Sequence, residues 1–217
     1  MILNVYKPKG WSSFDVVKKI RYIVKEKKVG HGGTLDPFAE GVLIIGTGAD
    51  TKRLTKITSE DKSYHATLLL GKTTDTLDTE GEVIKEKPIP ELDADTISKV
   101  LDTFSGITNQ TPPMYSAKKV NGTRLYKLAR KNITVKREPV QINIKTITLE
   151  KFTENTISFS LTCSKGTYIR VLGYDIALKL GTVGYLTGLI RTQIGHYRID
   201  DSQSIKELED SWKSSII

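Results

Sequence analysis

Between Val140 and Thr162 the apolar residues fall on alternate positions in two successive runs. Ile142, Ile144, Ile147 and Leu149 belong to the first, and Ile157, Phe159 and Leu161 to the second, with Asn155 between them. A period of two sets side chains on one face of a strand, so this stretch predicts two strands turning at Asn155. The chain must therefore build a sheet and cover one face of it.

Helical spacing occurs elsewhere. Phe14, Val16, Val17, Ile20, Ile23 and Val24 predict a helix to about Lys27, capped by Ser12 or Ser13, with Asp15 in its first turn. Asp93 caps a second helix over 94–103. A short basic helix is expected over 124–130, and another over 170–180 that ends at Gly181. Strands are expected at 2–6, 63–70 and 191–199, with an apolar segment at 41–45. The stretch 166–169 reads as a continuing strand, 29–40 as a glycine-rich loop, 71–82 as turns, and 105–123 as a loop around Pro112 and Pro113. The fold class is α+β, in one domain with a basic excursion near residues 112–138.

Charge narrows the partners. The 33 Lys and Arg against 25 Asp and Glu leave a net +8, and the excess is uneven. Residues 1–30 carry eight basic side chains against Asp15 and Glu26, and a second basic stretch runs from Lys118 to Arg137. Asp75 to Asp95 is acidic, with Asp78, Glu80, Glu82, Glu86, Glu91 and Asp93 between. A basic face set against an acidic one suits a polyanion laid across one side. Apolar runs are far shorter than the roughly 20 residues of a membrane helix, and the first residues lack a leader pattern, so no membrane partner is expected. The single Cys163 can form no internal disulfide, which fits a reducing, cytoplasmic setting.

Several chemistries fail on spacing. Gly71-Lys72-Thr73 resembles the end of a phosphate-binding loop, but position 66 is Ala where that loop needs Gly. His31, His65 and His196 are scattered without the partners a zinc site uses, so no metal is expected. No G-x-S-x-G serine loop occurs. The segment Gly30-His31-Gly32-Gly33-Thr34-Leu35-Asp36-Pro37 stands apart. Its glycines permit close backbone approach to a ligand, and Pro37 holds Asp36 away from helical geometry. Downstream, Tyr168 and Arg170 would share one side of the expected strand at 166–170. An aspartate kept ionised in a dry pocket needs such a cation, and a base to be stacked needs such an aromatic.

Five blocks, in order, resemble the TruB family of tRNA pseudouridine synthases. They are Lys7-Pro8-Lys9-Gly10-Trp11-Ser12-Ser13, then 30–41 around Leu35-Asp36-Pro37. Next come Lys62-Ser63-Tyr64 with Gly71 and Thr74-Asp75-Thr76, and then Gln110, Pro112-Pro113 and Tyr115-Ser116-Ala117 with Lys119. The last is Gly166-Thr167-Tyr168-Ile169-Arg170 with Leu180-Gly181 and Leu189. The resemblance implies a pseudouridine synthase fold, with a mixed, mostly antiparallel central sheet flanked by helices and loops. It implies isomerisation of uridine 55 in the tRNA T loop, without cofactor. Asp36 matches the catalytic aspartate, Arg170 the arginine that pairs with it, and Tyr64 the tyrosine that stacks on the flipped base. Tyr168 and Leu189 match residues lining the uracil pocket, His31 one that supports the flipped-out nucleotides, and Lys7 a motif beside the active site.

By the same resemblance, 1–198 is the catalytic domain, with 112–138 as a basic loop that clamps the T arm. The tail 199–217 leaves no room for the family's RNA-binding PUA domain. A monomer acting on tRNA without an obligatory protein partner is expected. The rival readings are a tRNA-folding chaperone and a sister synthase acting on another RNA. Two departures stand out: Gly32 follows His31 where relatives usually carry Thr, which should loosen the loop, and Ile190 replaces the first of two arginines after Leu189.

Overall fold

The computed structural model describes residues 1–120 and 122–214. Its contacts divide the chain into two compact units, 1–64 with 189–217 and 65–188. The chain opens with β1 (Ile2–Lys7), α1 (Ser13–Val24), β2 (Val29–Gly32), β3 (Glu40–Thr47), α2 (Leu54–Ser59) and β4 (Lys62–Leu70). Then follow β5 (Lys72–Thr74), β6 (Val83–Glu86), α3 (Ala94–Asp102), β7 (Gly106–Gln110), β8 (Lys119–Val120), β9 (Thr123–Arg124) and α4 (Leu125–Ala129). The chain continues through β10 (Val140–Phe152), β11 (Thr156–Cys163), α5 (Ile169–Lys179) and β12 (Gly184–Ile194). It closes with β13 (Tyr197–Arg198) and α6 (Ile205–Ser214). No described helix is long and apolar enough to cross a membrane.

In the first unit, β3 is the organising strand. β1 pairs antiparallel along one edge, from Ile2 opposite Gly46 to Lys7 opposite Gly41. The other edge is shared: β2 pairs antiparallel with Ile44–Thr47, and β12 pairs parallel with Glu40 and Gly41. The run Val42–Ile45 is apolar without alternation because both faces are covered. Leu43 and Ile45 pack with Val16, Val17, Ile20, Ile23 and Val24 of α1, whereas Val42 and Ile44 pack with Leu54 and Ile57 of α2. Ser12 caps α1 by accepting from the Asp15 amide, and the Asp15 carboxylate accepts from the Ser12 amide in return. Phe14, which the helical spacing assigned to the apolar set, is instead 54% exposed. Residues 199–214 do not trail away from this unit. They include α6, whose Leu208 is buried in the α1 core.

In the second unit, β4, β11, β10 and β7 lie in that order. The β10–β11 pair matches the alternation at 140–162, although β-bulges near Lys145 and Glu150 shift its register twice. β7 adds antiparallel to β10, where the sequence predicted only loop, and α3 packs on β10 and α5. β5 and β6 likewise pair within and beyond the segment read as turns. β3 pairs parallel with β12, whereas β1–β3, β2–β3, β10–β11 and β7–β10 are antiparallel, so the central sheet is mixed and flanked by helices.

Three local expectations are corrected. Residues 29–32 are strand rather than loop, and Gly32 sits opposite Ile44 in the β2–β3 ladder, so it is not a loosening element. Tyr168 and Arg170 do not share a strand face: Gly166 turns the chain with φ +83°, Tyr168 is the N-cap of α5, and Arg170 lies in its first turn. Leu180 is the C-cap of that helix, and Gly181, the residue after it, has φ +88°, the left-handed geometry that suits that position. The strand predicted over 191–199 is divided: β12 begins at Gly184, takes in Leu189 and ends at Ile194, and β13 follows at Tyr197–Arg198.

Candidate active site

Asp36 lies in the loop that leaves β2 and re-enters the sheet at β3. Its carboxyl-bearing residue is half-buried, between the buried Leu35 and the buried Phe38 and Ala39. Ser13, at the start of α1, donates to the Leu35 carbonyl at 3.0 Å and accepts from the Leu35 amide at 2.9 Å. One hydroxyl therefore holds both backbone groups of the residue before Asp36. On the other side, the Gly10 amide donates to the Pro37 carbonyl at 2.8 Å, and the Ala39 amide to that of Asp36 at 3.1 Å.

Two buried cations complete the support. Lys7, fully buried at the end of β1, donates from Nζ to the carbonyls of Trp11 (2.5 Å), Pro8 (3.0 Å) and Pro37 (3.4 Å). Arg191, 1% exposed on β12, donates from Nε to Val42 O (2.8 Å) and from its two terminal nitrogens to Gly33 O (3.1 Å) and Thr34 O (3.4 Å). Its fork thus ties β3 to the stretch of loop just ahead of Asp36. Gly41 closes the arrangement: its φ is +104°, and a Cβ there would lie 2.4 Å from the Arg191 carbonyl oxygen.

Lys7, His31, Asp36, Tyr64 and Leu189 all belong to this first unit. His31 sits on β2 opposite Ile45, Tyr64 is buried on β4, and Leu189 is buried on β12, two residues from Arg191 and therefore on the same strand face. Lys62, also buried, donates to the carbonyls of Thr58 (2.8 Å) and Glu60 (2.5 Å) just ahead of Tyr64.

Tyr168 and Arg170 belong to the second unit. Arg170, 3% exposed, pairs with Asp78 at 3.3 Å and donates to Thr76 O (2.6 Å) and Tyr115 O (2.8 Å). Asp78 is itself buried, and its Oδ1 accepts from the Thr76 hydroxyl (2.6 Å) and the Glu80 amide (2.9 Å). The sequence had counted Asp78 with the acidic exterior; burial and the Arg170 pairing remove it from there. Leu77, at φ +63°, makes the turn that delivers Asp78 inward. Gln110 grips Tyr168 by both backbone groups, accepting from its amide at 2.8 Å and donating to its carbonyl at 3.1 Å. Tyr115 donates to Asp75 at 3.0 Å, a bond that raises the phenol's pKa above its ordinary value.

The basic stretch at 112–138 also lies in the second unit. It folds as the β8–β9 ladder and α4, and Arg137 donates to the Pro112 carbonyl at 3.3 Å, tying its two ends together. Gly71-Lys72-Thr73 enters the short strand β5 rather than a phosphate cradle. Cys163 is buried at the end of β11. Among the described residues no three His, Cys, Asp or Glu side chains gather as metal ligands would.

Sequence reasoning gave no role to Arg191, Asp78, Lys62 or Gln110. The available signal was periodicity for Arg191, since a charged residue two positions from an inward leucine in a strand must also point inward.

Comparison with known proteins agrees with this architecture. Residues 21–169 match the family described as TruB family pseudouridylate synthase (N terminal domain). The tRNA pseudouridine synthase B of Psychrobacter cryohalolentis is 46% identical over 213 residues, which cover 96% of this chain and 59% of that protein. The tRNA pseudouridine synthase B of Clostridium tetani is 46% identical over 209 residues, covering 96% of this chain and 72% of the relative. The chain thus spans somewhat more than half to nearly three quarters of the length of these curated relatives. A chain in the crystal structure of a Cbf5-Nop10-Gar1 complex matches all of this one and 56% of itself, at 27% identity and a TM-score of 0.78. A chain from an H/ACA RNP bound to a substrate RNA containing 2'-deoxyuridine shares the fold, at 24% identity and a TM-score of 0.74 over all of this chain and 55% of its own. Identity of this order along nearly the whole sequence settles the kinship: the chain belongs to the TruB family of pseudouridylate synthases.

Proposed function

We propose that the chain isomerises uridine 55 in the T loop of tRNA to pseudouridine, acting as a cytoplasmic monomer on the T arm. The observation that carries this reading is the half-buried Asp36, set in a loop whose backbone is held by Ser13, Lys7 and Arg191. A carboxylate so fixed is prepared to meet a sugar carbon or a sugar proton without reorganising the loop.

The reaction breaks the N1–C1′ bond, turns the uracil and forms a C5–C1′ bond. The C5 proton is released and N1 gains one, so atoms and redox state balance with no external reagent. Asp36 acts as nucleophile or as base, and both roles require an ionised carboxylate kept from bulk water. The base must first leave its stack, at a cost of a few kcal/mol. Tyr64 and Leu189 offset part of this by contacting its faces, since base–aromatic stacking is worth about 1–3 kcal/mol. Arg170 is the reaction's cation and Tyr168 a further base contact. His31 supports displaced loop nucleotides, and the stretch at 112–138 clamps the T arm.

Mapping pseudouridine in a full-length tRNA transcript after incubation with the protein tests this reading. Modification at position 55 alone is expected. Modification only elsewhere, or only in another RNA, would overturn it.

A further inference from the structure

Helix α1 buries one face, through Val16, Val17, Ile20, Ile23 and Val24, and α6 covers part of another side, where Lys19 pairs with Glu209 at 2.6 Å. What remains uncovered among the described residues is unusual for a helix surface. Phe14 and Tyr22 are 54% and 76% exposed, and Trp11, immediately ahead of the helix, is 36% exposed. Lys18, Arg21 and Lys25 are exposed as well. Within α1, positions 14, 18, 21 and 22 follow the three- and four-residue steps that align side chains along one helix face, with Trp11 just ahead of the helix and Lys25 just after it. Aromatic rings left in water at such positions add nothing to the core, and α1 is already secured by its buried face.

The charges show which partner fits. Lys18 Nζ stands 5.0 Å from the Phe14 ring centre and Lys19 Nζ 5.7 Å from that of Tyr22. Rings alternating with cations are the arrangement that binds RNA, the rings taking unstacked bases and the cations phosphates. From Phe14 to Tyr22 the helix rises about 12 Å, enough to follow a short run of one RNA strand. The stripe also starts at the catalytic loop, because the Lys7 ammonium that holds Pro37 holds the Trp11 carbonyl as well.

We infer that the exposed α1 stripe, from Trp11 through Phe14, Lys18, Arg21 and Tyr22 to Lys25, is a second RNA-binding track that engages the tRNA substrate beyond the target uridine. The inference rests on the proposed activity and extends it: α1 reads no sequence, stacks at least one unpaired base, and holds the neighbouring backbone beside the Asp36 loop.

The test measures binding of a full-length tRNA transcript to the whole chain across a series of salt concentrations. The Phe14→Leu/Tyr22→Leu double variant should bind roughly tenfold more weakly, and Tyr22→Phe should retain affinity, because stacking needs the ring rather than the hydroxyl. The Lys18→Gln/Arg21→Gln/Lys25→Gln triple variant should lower the slope of log affinity against log salt by about 2, at about 0.7 per phosphate contact for single strands. Thermal unfolding midpoints should match wild type, since these residues are exposed. Variants that bind within twofold of wild type with an unchanged slope would overturn the inference. So would variants that instead lose self-association or binding to anionic lipid vesicles, which would assign the stripe to a protein or membrane partner. A wild-type chain that modifies tRNA while the variants bind normally sinks only this inference; a wild-type chain that neither binds nor modifies tRNA sinks the activity as well.

Discussion

Lysine and arginine are seldom fully buried, because removing a cation from water is costly unless other groups replace its hydration. Lys7 and Arg191 are both buried beside the Asp36 loop, and the partners seen for Arg191 are carbonyl oxygens rather than a carboxylate. A guanidinium can serve three such acceptors at once because its donors form a rigid fork. Arg191→Lys keeps the charge but not the fork, and should release Gly33 and Thr34 while retaining a folded protein. Loop displacement of about 1 Å can cost on the order of a hundredfold in rate. The expectation is a kcat lowered by at least about tenfold with tRNA affinity changed by less than about threefold, read from single-turnover rates and equilibrium binding. Equal loss in both would assign Arg191 to RNA contact instead. Lys7 was legible in the sequence because it sits in a motif. Arg191, the second of the arginine pair expected after Leu189, carried no role of its own, because an arginine in a strand reads as surface until the strand's inward face is known.

Elements were legible in proportion to how local their causes are. The α1 cap, the Asp93 cap of α3 and the alternation of β10 and β11 depend on residues a few positions apart, and all three were readable. β2 and β7 were not, because Gly30–Gly32 and Gly106–Gln110 have no strand pattern of their own and are strands only by pairing with β3 and β10. Residues 166–169 failed for the converse reason: they read as a continuing strand, but Gly166 turns the chain with φ +83°. Two predictions belong to this scale. Ser12→Ala removes the hydroxyl half of the α1 capping box, leaving the residue-12 amide on Asp15, and should destabilise the chain by about 1 kcal/mol in urea unfolding at neutral pH. Tyr6 on β1 donates to Glu40 on β3 at 2.8 Å, and burial together with that carboxylate pushes its phenol up to about 12. A raised folded-state value means the stabilisation is whole below pH 10 and is lost as pH climbs from 10 through about 12. Wild type should therefore lose more stability across that window than Tyr6→Phe; parallel losses would contradict the assignment.

At the scale of the whole molecule, the net charge of +8 was informative about partner class and silent about geometry. The acidic segment behaves as a solvated surface at Glu80, Glu82, Glu86, Glu91 and Asp93, whereas its Asp78 is drawn inward to Arg170. The tail after residue 198, which composition left featureless, contributes Leu208 to the core of the first unit. Kinship with pseudouridylate synthases gives the chemistry its frame, but the claim on which the functional account turns is that Asp36 performs it. Tritium release from tRNA carrying C5-tritiated uridine reports the loss of the C5 proton directly. Wild type should release tritium in step with pseudouridine formation, and Asp36→Asn should release none while binding the same tRNA with near wild-type affinity. Continued release by Asp36→Asn would contradict the account at its centre.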